Sequence, residues 1–320
     1  MFKLSSAFFC LMLAACASRP RVPPPLVTDK EFQVPAKLAD QFAVREKGGE
    51  TPSAAAKEQP IPIAPEEPGK MGKQKKKEKA KKEEKALKIP AKAAGPAEIP
   101  NRWTMTPFFR VGERAVFDIT YFGATAGQLE LEVLPEKRVS ERPTYHFRAM
   151  ASSTSIFSLF YRVNDVAESF MDTEGLFSHK FSIKLDESKQ NRDVLELYDQ
   201  KKRKAYYWSK LVTPDKKQNE QSEIELVPFT QDGLSSFFYV RTLPLELGKT
   251  YEFPVVNNGK LRIVRVTAIR KESLSTKLGD YRSIVLKPEV VLDGVLQSYG
   301  DSFIWISDDA DRHILKIDAK

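Results

Sequence analysis

The sequence predicts an all-β protein: a strongly curved antiparallel sheet or partly closed barrel with one short helix, preceded by a disordered Pro- and Lys-rich stalk. Two observations carry the β reading. From about Thr106 onward, segments of alternating polarity rich in Val, Ile, Phe and Tyr follow one another, separated by turn residues. That period of two is the signature of half-buried strands. Crossover helices between these segments are missing, which argues against a parallel α/β architecture. The stalk rests on a third observation, the proline and lysine content of the first third of the chain.

The elements follow in order. The run 115–121 places Phe117, Ile119 and Tyr121 on one face, and 128–133 alternates strictly. The glycine-bounded stretch 123–127 reads as their hairpin turn. Further strands are expected at 144–151, 163–171, 177–185, 193–198 and 204–209. Residues 232–241 read as a short helix, capped by Asp232 and closed by Pro244, and 154–160 as another turn or two of helix. Strands 250–256 and 261–269 are joined through Asn257-Asn258-Gly259, a strong hairpin signal because both central turn residues must accept positive φ. Strands 281–290 and 294–299 flank a similar Asp293-Gly294 turn, and 303–306 with 314–317 complete the set. About 215 residues suffice for a single sizeable core.

Ahead of this domain the chain reads as two further parts. Residues 1–15 resemble a bacterial lipoprotein signal: Lys3, a short apolar run, then Leu13-Ala14-Ala15-Cys16. The run is too short to span a bilayer as a mature helix. A small residue at Ala15 admits the peptidase, and the Cys16 thiol carries the lipid, palmitate among its chains. One acyl chain holds a protein weakly, whereas two or more anchor it stably. Ala17, where an Asp would favour inner-membrane retention, points to the outer membrane, periplasmic side; inner-membrane and cell-surface placements stay open. The only other cysteine, Cys10, leaves with the signal, so the mature chain has no disulfide.

Residues 16–105 read as a tether, with recurrent prolines and few large apolar residues to offset the entropy of ordering. Within it, residues 70–92 hold eleven lysines against three glutamates, a surplus equal to the +8 of the entire chain. The basic character therefore belongs to the tether and not to the β domain. Lys75, Lys76, Lys77, Lys79, Lys81 and Lys82 are candidate contacts for peptidoglycan carboxylates or lipopolysaccharide phosphates, the alternative being a solvated, self-repelling spacer. No aromatic residues interleave the lysines, and the signal places the chain outside the cytoplasm, so nucleic acid is not expected as a partner.

Residues that carry chemistry are scarce. His146, His179 and His313 are far apart, each on an expected strand, and show no metal-ligand spacing. No thiol, serine-elbow or phosphate-loop motif is present, and Ser235 and Ser236 have no evident base. Asp308, Asp309 and Asp311 are the best metal candidates, yet a tight turn explains them more simply. No catalytic residue and no cofactor beyond the lipid on Cys16 are expected. Aromatics such as Phe157, Phe160, Tyr207, Trp208, Phe237 and Phe238 either fill a core or line a groove for an acyl chain.

Four stretches together resemble the bacterial envelope family catalogued as domain of unknown function 3108. They are Val111-Gly112-Glu113-Arg114 through Gly127, Tyr161-Arg162-Val163-Asn164-Asp165 through Asp172, Asp232-Gly233-Leu234-Ser235 through Arg241, and Trp305-Ile306-Ser307-Asp308-Asp309 with Arg312. The likeness covers about 107–318. Family members run on for another strand, whereas this chain stops at Lys320, which would leave an open sheet edge. The resemblance implies a secreted, β-rich domain with no established activity. The function expected is a non-catalytic binding or scaffolding module in envelope maintenance, holding an unknown protein, glycan or lipid partner. The alternatives are a carrier of a lipid or other hydrophobic ligand in the concave face, and an enzyme acting on envelope polymers.

Overall fold

The computed structural model describes residues 29–47, 109–292, 295–297 and 302–318. Nine strands form one antiparallel sheet: β1 (Arg45–Glu46), β2 (Arg114–Tyr121), β3 (Ala124–Val139), β4 (Arg142–Ser153), β5 (Asn164–Asp172), β6 (Ser178–Asp186), β7 (Asn191–Asp199), β8 (Lys204–Val212) and β9 (Lys217–Glu225). From β3 to β9 each strand pairs with the next, while β1 and β2 both lie along the other edge of β3. The second sheet runs β10 (Thr250–Asn257), β11 (Lys260–Thr276), β12 (Gly279–Leu292), β14 (Phe303–Ser307), β15 (Ile314–Asp318), with β13 (Val295–Gln297) beside part of β12. Neither sheet closes on itself. Three short helices complete the described residues: α1 (Ala36–Gln41), α2 (Ser155–Ser158) and α3 (Ser235–Arg241).

Alternation decides which face is buried. Leu129, Leu131 and Val133 of β3, with Phe147, Ala149 and Ala151 of β4, turn inward and join Val266, Ile284, Leu286 and Ile306 of the second sheet in one core. Phe238, Tyr239 and Val240 of α3 fill the same core, Phe238 stacking on Phe147 with ring centroids 3.8 Å apart. The segment between β9 and α3 stitches the sheets together. Thr230 accepts from the Ser178 amide at 3.1 Å, and Gln231 exchanges backbone bonds with Pro254 and Val256, both at 2.9 Å.

The expected Asn-Gly hairpin is present: Asn258 (φ 50°) and Gly259 (φ 68°) join β10 to β11. Gly259 is required twice over, since a Cβ there would lie 2.8 Å from the Tyr207 ring. The first hairpin turns earlier and more tightly than expected, at Phe122 (φ 48°) and Gly123 (φ 77°), so that residues 124–127 belong to β3. The Asp293-Gly294 turn lies outside the described residues. β15 follows the Asp-Asp turn and is paired on one side, with β14.

Two differences from the sequence reading have physical causes. β9 has no counterpart among the expected strands, because an edge strand with little buried surface shows no alternation: Lys217-Gln218-Asn219-Glu220-Gln221 is polar throughout. Such a charged edge resists pairing with a second chain. The larger correction concerns the tether, of which residues 29–47 are part of the folded body. Phe32 and Phe42 pack on the outer face of the sheet against Val139, Phe170, Leu195, Leu197 and Trp208. β1 pairs with β3 through Arg45↔Arg138 and Glu46↔Lys137, and Lys180 binds Asp29 at 2.8 Å. The rest of the expected tether lies outside the described residues.

Candidate functional site

At the end of the large sheet where β5 stops and β6 begins, four chain segments line a polar pocket of about 370 Å³. β4 contributes Arg142 from its first position, β6 contributes His179, and β7 with the turn after it contributes Asp199, Lys201 and Lys202. The docked N-terminal segment supplies the remaining wall through Asp40, Gln41 and Arg45. A bulge between Phe170 and Met171 of β5, opposite Lys180 and Ser178, gives β6 the extra residue that is His179.

Asp172 organises this end of the sheet and is fully buried. It accepts from Arg142 Nη2 at 2.9 Å and also from Arg142 Nε, and His179 Nε2 lies 3.0 Å from its Oδ2. The Gly175 and Glu174 amides donate to it as well, at 2.6 and 3.0 Å. Burial alone would raise this carboxyl's pKa, but the Arg142 and His179 bonds together hold it well below the usual carboxylate range. His179 Nδ1 has no hydrogen-bond partner in the structure. Asp199 accepts from Gln41 Nε2 at 3.1 Å and from Lys202 Nζ at 2.7 Å, so the N-terminal segment and the sheet are tied across the pocket. With cations and acids mixed and mostly paired, the pocket can hold a small polar molecule by hydrogen bonds.

The inner face carries a second polar group, sealed from solvent. Asp232 Oδ2 accepts from Ser169 and Ser178 hydroxyls, each at 2.6 Å, and its Oδ1 from the Leu234 and Ser235 amides, each at 2.8 Å. The helix starts later than expected, with Leu234 at the N-cap position, and Asp232 holds its first amides from three residues ahead of Ser235. Glu196 on β7 is buried beside it, takes the Tyr198 hydroxyl, and is pushed up to about 8 by burial and by the nearby Asp232 charge. Arg241 at the end of α3 is 1% exposed and grips Glu113 at 2.6 and 3.1 Å and the Asp311 carbonyl at 2.9 Å. These groups join α3 to both sheets; closed to substrate, they hold the fold.

The space beneath α3, where the alternative reading of the aromatics put a groove for an acyl chain, is largely filled. Beneath α3, Leu129, Ala149, Phe181, Leu234, Phe237 and Ile317 leave an apolar hollow of about 30 Å³. That is room for about two waters. Phe170 and Trp208 belong to the outer cluster, Phe238 to the inner core, and Phe160 is exposed.

The candidate residues named from the sequence fall in separate places. Cys16 and the lysines Lys75, Lys76, Lys77, Lys79, Lys81 and Lys82 lie outside the described residues. His146 stacks on Phe170 and His179 sits in the pocket, while His313 lies just ahead of β15 and not on a strand, 3.4 Å from Glu113. Asp308, Asp309 and Asp311 do not converge on a common point. Asp308 pairs with Lys271, and Asp309 accepts from Ser307, the Asp311 amide and the Arg312 amide, as a turn-forming aspartate does. No group of three potential metal ligands comes together among the described residues. The pocket residues Arg142, Asp199 and Arg45 carried no motif; the one signal was Asp172, which closes the second of the stretches that resemble the family.

No curated protein matches this chain. Among solved structures it is similar to a β-barrel-like protein of the domain of unknown function DUF1849 from Brucella abortus, at 12% identity and a TM-score of 0.39, over 66% of this chain and 98% of that one. The model of a family described as protein of unknown function (DUF3108) matches residues 116–320, and the chain belongs to that family.

Proposed function

We propose that the protein is a lipid-anchored, non-catalytic binding module of the bacterial envelope, held through Cys16 at the periplasmic side of the outer membrane. The observation that supports binding at the surface over carriage is the filled interior. α3 and the second sheet occupy the concave face, and the hollow beneath α3 is about 30 Å³. Ligand sites of drug-sized molecules are of order 300–1,000 Å³. The Leu13-Ala14-Ala15-Cys16 motif supports the anchor, and the lysine-rich stretch supports contact with anionic envelope polymers. The polar pocket supports a narrower version, in which a small polar ligand bonds to the Gln41, Arg45 and Lys201 side chains on its walls.

Native mass spectrometry of the mature chain, secreted without lipid and recovered from periplasm, tests this reading. An apo mass with no shift on adding fatty acid is expected. A co-purifying lipid that exchanges with added fatty acid would establish the carrier instead.

A further inference from the structure

The six most exposed large apolar side chains of the described residues gather at one rim. They are Phe122 (92%), Leu278 (87%), Leu159 (82%), Phe160 (80%), Ile156 (70%) and Tyr121 (62%). Every other described large apolar side chain is at most 57% exposed. Tyr121 pairs with Ala124 at the β2–β3 tip, and the Thr154 amide donates to Ala126 at 2.8 Å, which sets α2 beside that tip. The β11–β12 tip reaches the same hairpin, with Lys277 Nζ 3.8 Å from Asp118. Nothing in the core calls for these side chains: each stands on a turn or at a short helix, pointing away from both apolar clusters.

We propose that this rim lies on an anionic lipid bilayer, the aromatic and aliphatic tips entering the headgroup boundary. Three features select a membrane as the occupant. The side chains project from two hairpin tips and one short helix, a form suited to a deformable medium, and aromatic rings favour that boundary. Lys189 in the β6–β7 turn and Lys216 and Lys217 around the β8–β9 turn are exposed on the same rim, with Asp215 among them. The β6–β7 turn adjoins α2 through the Ser188 amide bond to Arg162 at 3.0 Å. Lysines so placed meet lipid phosphates and strengthen attachment to an anionic surface. The third feature is reach, and it rests on the lipid-anchor reading. Asp29 is fixed to Lys180, and Cys16 lies thirteen residues upstream, at most about 45 Å of extended chain. From Lys180 to the rim along β6 is roughly 23 Å. An anchor at Cys16 can therefore be in the bilayer while the rim rests on it.

The test is flotation of the mature, unlipidated chain with vesicles of phosphatidylethanolamine containing about a quarter phosphatidylglycerol. The chain is expected to float with them, and Phe122→Asp with Phe160→Asp to lower the bound fraction at least about fivefold. Both positions are exposed, so the melting transition should stay in place and serve as the folding control. Lys189→Glu with Lys216→Glu should weaken binding to these vesicles more than to neutral ones. A parent chain that stays at the bottom of the gradient, or a Phe122→Asp/Phe160→Asp chain that floats as well as the parent, overturns the proposal and turns the search to a protein partner. Radiolabelled palmitate on the full chain, compared with Cys16→Ala, reads the anchor separately. Its loss would leave the flotation result standing, and the converse holds.

Discussion

The two faces of the large sheet are buried by different means. The inner face meets a second sheet and α3 in a broad core, crossed by buried polar groups that fix one arrangement: Arg241 on Glu113, and Asp232 on Ser169 and Ser178. The outer face is covered over a smaller area by residues 29–47, whose grip is two phenylalanines, a two-residue strand, the Gln41–Asp199 bond and ion pairs to Lys180, Glu141, Glu136 and Lys137. The inner contact defines the fold, because removing it leaves buried charge unpaired. The outer contact is separable, because the segment can leave and be hydrated. Cooperative unfolding should therefore follow the inner face, and local opening the outer one.

The sharpest way to break this contrast is Arg241→Ala. It leaves Glu113 with His313 as its one cationic partner and frees the Asp311 carbonyl, and loss of one partner of a buried pair costs up to about 3–5 kcal/mol. Urea unfolding should show a large fall in midpoint; a fall no greater than that of an outer-face variant would remove the distinction. Next in size is the charge on the inner face. The folded state keeps the Glu196 proton up to about pH 8, while the ordinary value is 4.5, so folding takes up a proton across that window. Stability should decline as pH rises from 4.5 to 8, by roughly 2–4 kcal/mol from this group, and Glu196→Gln should flatten the slope. Unfolding midpoints at several pH values check it; an unchanged slope in the variant would assign the decline to another group. The smallest global effect is expected from Phe42→Ala, about 1–2 kcal/mol, because the cost is limited by local undocking. Hydrogen exchange should show faster exchange for residues 29–47 with the core strands unchanged. Faster exchange in β7 and β8 as well would mean that both faces unfold as one.

The inner face was legible in the sequence because it is written in alternation. Leu129, Leu131 and Val133 announce β3, Asn258-Gly259 announces its hairpin, and Asp232 followed by Ser235 announces α3. The same rule hides what does not alternate. β3 continues past Pro135 through a bulge at Leu134/Lys137, and charged residues there read as loop. β9 is polar because its side chains are mostly exposed. Residues 29–47 bury only Phe32 and Phe42 completely, too few to stand out against the prolines around them. The pocket was hidden for a related reason: its walls come from residues near 40, 142, 179 and 200, and no local spacing records that meeting.

The docked segment also has a mechanical meaning. Tension from a membrane attachment at Cys16 would enter the body at Asp29 and load the Phe32 and Phe42 contacts before any strand of the inner core. Those contacts are the weaker element in series and would yield first. Their release would add the 80 residues from 29 to 108 to the leash, about 270 Å at full extension, with the two sheets intact. A sudden load would then be spent in lengthening the connection, and the segment would re-seat on Leu195, Leu197 and Trp208 when the strain fell.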